Sequence, residues 1–177
     1  VSQEIYSTGK VTDKSEIGTY WWNEFQKAFN SAYEDSFETQ RKLEYESLKK
    51  TIEYFNSTAN AKELSDLMFA HWIKPPIFEE SKQFFEMCPV PIYVVSNIDR
   101  DDVLKAIEYH GLKPNGIFTS EDAKSYKPRK ELFQFALNST GLSAEQVVHI
   151  GDSLSSDIKG ASAVGINAIW ILSLIHI

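Results

Sequence analysis

The residues best suited to chemistry stand together in Val147-Val148-His149-Ile150-Gly151-Asp152-Ser153-Leu154-Ser155-Ser156-Asp157. A short apolar run ends in a glycine, and two carboxylates follow, five positions apart. The pattern reads as a buried strand opening into a loop, with Asp152 at its carboxyl end. In open α/β sheets, ligands bind outside the carboxyl ends of the strands. A carboxylate there, backed by a second one, suits a hard divalent cation such as magnesium, which takes oxygen ligands. Three readings compete for this segment: a metal-assisted phosphoryl site, a serine nucleophile at Ser153, and an ordinary polar loop.

Two further polar signals share its setting. Ser96-Asn97 follows the β-branched run Ile92–Val95, and Lys127, within Ser125-Tyr126-Lys127-Pro128, follows the weak strand Gly116–Thr119. Taken singly, a Ser-Asn pair after a strand is most often a turn or helix cap, and a lysine before proline a solvated loop residue. All three signals on one rim of one parallel sheet are a less ordinary coincidence. Hydroxyl and backbone N–H donors, a cation and metal-binding carboxylates are the parts that hold a transferring phosphoryl group. His149, inside the strand, reads as a packed side chain.

The elements that position these residues follow from periodicity. Between Glu16 and Ile73 the apolar residues recur at helical spacing. Ile17, Tyr20, Trp21, Phe25, Ala28 and Phe29 form one stripe; Leu43, Leu48, Ile52 and Phe55 a second; Leu64, Leu67, Met68 and Trp72 a third. The aromatic residues fit one helix face and lack basic partners, so they read as packing rather than a nucleic-acid platform. Ser57 or Thr58 is expected to cap the third helix. Pro75-Pro76 ends the helical block, because consecutive prolines cannot continue a helix. Beyond it, helices expected at Ile77–Met87, Asp101–His110, Lys130–Thr140 and Asp157–Val164 alternate with strands at Ile92–Val95, Gly116–Thr119, Val147–Ile150 and Asn167–Ile171. Such alternation predicts βαβ units and a parallel sheet.

Composition excludes several classes. A net charge of −7 with no long Lys/Arg cluster disfavours nucleic-acid binding by phosphate neutralisation. Cys88 is the single cysteine, which rules out an internal disulfide and a cysteine zinc site. A reducing, cytoplasmic setting is the simplest expectation. No apolar run reaches membrane-spanning length.

Ser96, then Lys127 with Pro128, then Gly151-Asp152-Ser153 through Asp157 resemble the second, third and fourth motifs of the haloacid dehalogenase (HAD) superfamily. The resemblance implies an α/β fold: a Rossmann-like parallel-sheet core over residues 77–171 with a helical type 1 cap over residues 1–76. It also implies roles. Ser96 and the backbone around Asn97 would hydrogen-bond phosphoryl oxygens. Lys127 would neutralise nucleophile and phosphate charge. Asp152 would ligate magnesium, and Asp157 would support the metal or orient Lys127. The implied activity is magnesium-dependent hydrolysis of a small phosphorylated metabolite through an aspartyl-phosphate.

The superfamily nucleophile, the first aspartate of an Asp-x-Asp after the first core strand, has no counterpart ahead of the helical block. Asp13 stands alone in a polar stretch, and the sequence starts with valine. The expectation is a fragment truncated at its N-terminus and inactive by itself. The first core strand would then be missing, leaving an interruption between the strand ending at Ser96 and the strand ending at Gly151. Residues 172–177 break the polar loop expected there and read as a non-native tail.

Rival readings are weaker. Gly151-Asp152-Ser153-Leu154 also spells a lipase-like serine motif, but the only later histidine, His176, follows Ser173 rather than an aspartate three positions before it. A serine nucleophile needs a base oriented by a third group. A receiver-type regulatory domain would carry its acidic pair first and its lysine last. A 2-haloacid dehalogenase is the alternative within the superfamily, but its fourth motif commonly replaces Gly-Asp by Ser-Ser-Asn, and it needs no metal. A non-catalytic, strand-complemented fragment is the remaining alternative.

Overall fold

The computed structural model describes residues 1–171. The chain divides into two compact units. One comprises Val1–Cys88 and Asp101–Lys113; the other comprises Pro89–Arg100 and the chain from Pro114 onward.

The first unit is helical. Its main helices are α1 (Ser2–Thr8), α2 (Lys14–Ser31), α3 (Gln40–Tyr54), α4 (Ala61–Trp72) and α5 (Glu79–Met87), together with nearly all of α6 (Arg100–His110). Much of the predicted stripes becomes its core: Ile17 of α2, Leu48 and Ile52 of α3, Phe55, and Leu64 of α4 bury against Ile5, but Leu67 is exposed and Phe69 is buried in α4 instead. Helix α1 was not expected, yet Ile5 is completely buried. The aromatic stripe packs as expected, with Phe25 stacked 6.2 Å from Trp21 and tilted against Phe29 at 5.5 Å.

Local chemistry fixes the helix starts. The Asp13 carboxylate accepts from the Ser15 N–H at 2.9 Å and caps α2. The cap of α4 differs from expectation. Asn60, not Ser57 or Thr58, takes the Lys62 and Glu63 N–H groups, at 2.9 and 3.3 Å. Asn60 is the residue immediately before the helix, where one side-chain oxygen can satisfy two orphan donors. Ser57 instead accepts from the Ala59 N–H and bonds the Thr8 hydroxyl at 2.6 Å. Across this unit, Asp102 of α6 is fully buried and takes both arms of the Arg41 guanidinium at 2.6 Å. Arg41 also lies over the Phe69 ring, 4.2 Å from its centroid.

The second unit carries strands β1 (Tyr93–Ser96), β2 (Gly116–Thr119), β3 (Val148–Gly151) and β4 (Asn167–Trp170). It also carries the helices α7 (Ser120–Ala123), α8 (Lys130–Thr140) and α9 (Gly160–Ser162). β1 pairs parallel with β2, Ser96 opposite Thr119; β3 pairs parallel with β4, Gly151 opposite Trp170. Among the described residues these are two separate two-stranded sheets, with the expected interruption between the strands ending at Ser96 and Gly151. Residues 2–8 form a helix and do not fill it.

The two faces of β3 differ. Val148 and Ile150 point outward and are about half exposed, as is Ile169 beside them. His149 points the other way, toward the core built from Phe133, Ala161 and Ile166 with Ala168 packed on it. The segment expected as a helix from Asp157 starts earlier, as a π-turn over Leu154–Lys159. Its cause is local: the Ser153 hydroxyl accepts from Ser156 N–H, and the Ser153 carbonyl takes both Asp157 and Ile158 N–H. Residues 172–177, expected as a non-native tail, lie outside the described residues.

Candidate active site

Both strand pairs run parallel, and the sequence-predicted residues follow their carboxyl ends. Ser96 closes β1, and its hydroxyl accepts the Ile98 N–H at 3.1 Å, turning the chain after the strand. Asn97 spends its side chain on Lys127. Its Oδ1 accepts the Lys127 N–H at 2.7 Å, and its Nδ2 donates to the Lys127 carbonyl at 3.1 Å. Its own carbonyl accepts from the Ser120 hydroxyl at 3.0 Å. The loops after β1 and β2 are thereby tied to each other, and the role of Asn97's side chain is to place Lys127.

Lys127 is 8% exposed. Its ammonium donates to the Val95 carbonyl of β1 at 2.8 Å and to Asp157 Oδ1 at 2.6 Å. A buried ammonium needs such partners, because its desolvation otherwise costs several kcal/mol. Asp157, equally buried, is saturated with donors. Oδ1 also faces His149 Nε2 at 3.1 Å, and Oδ2 accepts the Ser153 N–H at 3.1 Å. Burial pushes this acid upward. The His149 hydrogen bond, the Lys127 charge and hydrogen bond, and the Ser153 amide outweigh it and hold the carboxyl well below the usual range.

Gly151 makes this arrangement possible, since a Cβ there would collide with the Cβ and Cγ of Asp157. The next residue, Asp152, is exposed at the end of β3, and its carbonyl accepts the Trp170 indole N–H at 2.9 Å. The structure thus unites Asn97, Lys127 and Asp157 in one hydrogen-bonded set. It places Ser96 at the end of β1 and Asp152 directly after β3.

Two residues of this site were not anticipated. His149 was read as packing alone, but it touches Asp157. A polar residue on the inward-facing phase of an apolar strand was the available signal. Trp170 carried no signal, since its partner is 18 residues away. Ser153 acts as a turn cap, with its hydroxyl on the Ser156 amide and 3.3 Å from the Ser155 hydroxyl; His149 serves Asp157, not Ser153. That geometry removes the serine-nucleophile reading.

Chemically, the site holds a fixed cation, and a solvent-facing carboxylate follows β3. Among the described residues, no three His, Cys, Asp or Glu side chains cluster tightly enough to cage an ion. Magnesium does not require a cage; it is commonly held by one or two carboxylates, with water and substrate phosphate completing the shell. Asp152, exposed and oxygen-bearing, fits that requirement. Asp157 has both oxygens engaged by nitrogen donors.

Relatives share parts of the chain. The HAD-hydrolase YfnB of Bacillus subtilis is 37% identical over 83 residues, covering 45% of this chain and 35% of YfnB. The magnesium-bound crystal structure of YfnB matches with a TM-score of 0.68 at 22% identity, over 91% of this chain and 74% of that one. Glyceraldehyde 3-phosphate phosphatase of Methanocaldococcus jannaschii is 38% identical over 64 residues, covering 35% of this chain and 28% of that protein. L-2-haloacid dehalogenase of Xanthobacter autotrophicus has a TM-score of 0.74 at 16% identity, over 92% of this chain and 68% of that one. The matched stretches span about a third of the two curated relatives. The profile of the haloacid dehalogenase-like hydrolases matches residues 4–171, and the chain belongs to that family.

Proposed function

We propose that the protein is a magnesium-dependent phosphomonoester hydrolase acting on a small phosphorylated metabolite in a cytoplasmic setting. The observation that carries this reading is the buried Lys127 ammonium, pinned between the Val95 carbonyl of β1 and Asp157 in the turn that follows β3. A fixed positive charge there costs no reorganisation when negative charge develops on a phosphoryl group. Asp152 would hold magnesium, which when bound supplies charge neutralisation at the phosphate oxygens. Of the two roles expected for Asp157, its engagement with Lys127 supports the orienting one.

In the proposed reaction a carboxylate oxygen attacks phosphorus and the ester oxygen leaves with a proton, giving an acyl phosphate; water then cleaves that bond and releases orthophosphate. No Asp-x-Asp stands ahead of the helical block, so the attacking carboxylate is none of the residues given roles here. Ser96 and the Asn97 backbone N–H donate to the phosphoryl oxygens, and Lys127 balances the charge of nucleophile and phosphate. The phosphatase named among the relatives and the magnesium in the YfnB structure agree with this reading.

Haloacid dehalogenation is the second reading, favoured by the fold match to the Xanthobacter enzyme. Asp152, the magnesium carboxylate, stands against it. The deciding experiment expresses the full reading frame and assays a panel of phosphorylated metabolites, and 2-chloropropionate, with magnesium or EDTA. Phosphate release that EDTA abolishes and Lys127→Ala depresses supports the proposal. Dechlorination that survives EDTA overturns it.

A further inference from the structure

We propose that His149 is a positioning residue, which fixes the Asp157 carboxylate and through it the place of the Lys127 ammonium. The inference deepens the function proposed above and rests on it for its kinetic arm alone.

Val148 and Ile150 face outward, and position 149 faces a core of Phe133, Ala161, Ile166 and Ala168, where an aliphatic side chain would be ordinary. An imidazole there must recover its desolvation through a hydrogen bond. It does so at Asp157 Oδ1, 3.1 Å from Nε2. The ring also meets Phe133 edge-on, at 88° and 5.1 Å between centroids, and Phe133 is 1% exposed. A packed aromatic ring and a carboxylate thus both engage the imidazole.

The consequence falls on Lys127. A lysine is a compact charge on a flexible stem, and its ion pair sets no direction for the carboxylate. Direction comes from the rigid donors: the Ser153 N–H on Oδ2 and the His149 ring on Oδ1, beside the ammonium. Because an ionised carboxylate only accepts, Nε2 must carry the hydrogen. Without His149, Asp157 keeps a rigid anchor on one oxygen only, and the ammonium keeps the Val95 carbonyl as its one fixed partner. Groups that orient a residue of the site in this way typically cost about 10- to 100-fold in activity when removed.

The test uses the full-length protein with His149→Leu and His149→Gln; the glutamine amide can donate from roughly the place of Nε2. Nitrogen-15 spectra of the imidazole should show protonated Nε2, and lysine-selective spectra should show slowly exchanging Lys127 ammonium protons. The leucine variant should lose that protection and about 10-fold or more in kcat, with little change in KM. The glutamine variant should recover most of both. A bare Nε2 with the hydrogen on Nδ1 overturns the proposal. So does a leucine variant with unchanged Lys127 exchange, or a glutamine variant no better than leucine. If the wild type hydrolyses no phosphomonoester, the functional proposal fails while the spectra still decide the role of His149. If the leucine variant fails to fold, the tautomer and the glutamine variant's Lys127 exchange decide it.

Discussion

Glu44 offers a sharp test of the helical unit that needs no enzymatic activity. It lies on α3, 5% exposed, with Oε2 buried and without a hydrogen-bond partner. Burial pushes this acid from 4.5 up to about 7, against the smaller opposing effect of a hydrogen bond from Gln40. A raised value means the folded state holds its proton more tightly than the unfolded state. The resulting stabilisation is complete below about 4.5 and is lost as the pH rises through about 7. At about 1.4 kcal/mol per pH unit, the loss between pH 5.5 and 8.5 amounts to about 2 kcal/mol. Glu44→Gln replaces the acid by a neutral near-isostere and removes this dependence. Urea unfolding followed by tryptophan fluorescence is a suitable assay, because Trp21, Trp22 and Trp72 all lie in this unit. Subtracting variant from wild type at each pH cancels the other titrating groups, provided none couples directly to Glu44. The difference should move by about 2 kcal/mol in favour of the variant from pH 5.5 to 8.5. A difference that stays flat would refute the reasoning, since Glu44 would then be titrating as an ordinary exposed acid.

Three other perturbations bear on the site. Asp157→Asn leaves the buried Lys127 ammonium without its carboxylate and should cost about 3–5 kcal/mol, read as a lowered Tm at neutral pH. The sign follows from the depressed acid: its stabilisation is present above 3.8 and fades only as the pH falls further, so variant and wild type should converge in strong acid. Gly151→Ala places a methyl group against Asp157, and overpacking of this kind should cost about 1–3 kcal/mol in a chemical melt. Asp152→Asn in the full-length protein should raise the magnesium concentration needed for half-maximal turnover while leaving the melting curve nearly unchanged, since Asp152 is exposed. An unaltered magnesium requirement would remove Asp152 from the metal site.

Much of this molecule was legible because its signals are local. The helical stripes through Ile17, Leu48 and Leu64 follow from a 3.6-residue period, and each of these residues is buried. The β-branched runs before Ser96 and Gly151 became strands within one residue of their expected limits. Other features were missed because nothing nearby announces them. Ile5 and α1 sit in a short polar stretch whose helicity depends on burying one side chain against α2 and α3. The α4 cap went to Asn60 because the helix began later than the first polar residues suggested. The π-turn after Gly151 depends on which amides the Ser153 carbonyl can reach.

The sequence by itself determined the family resemblance, the order of the polar motifs and the side of the strands on which they fall. Those properties rest on residue type, spacing and strand direction, which are written along the chain. Tertiary structure alone decided how the polar residues divide their work. Asn97 grips the backbone of Lys127 across 30 positions, Lys127 reaches Val95 across 32, and Arg41 finds Asp102 across 61. It also turned His149 from packing into a partner of Asp157. Contacts of this kind have no period. They form where buried polar groups must be satisfied once the elements have packed, and the desolvation that compels them exists only in the folded chain.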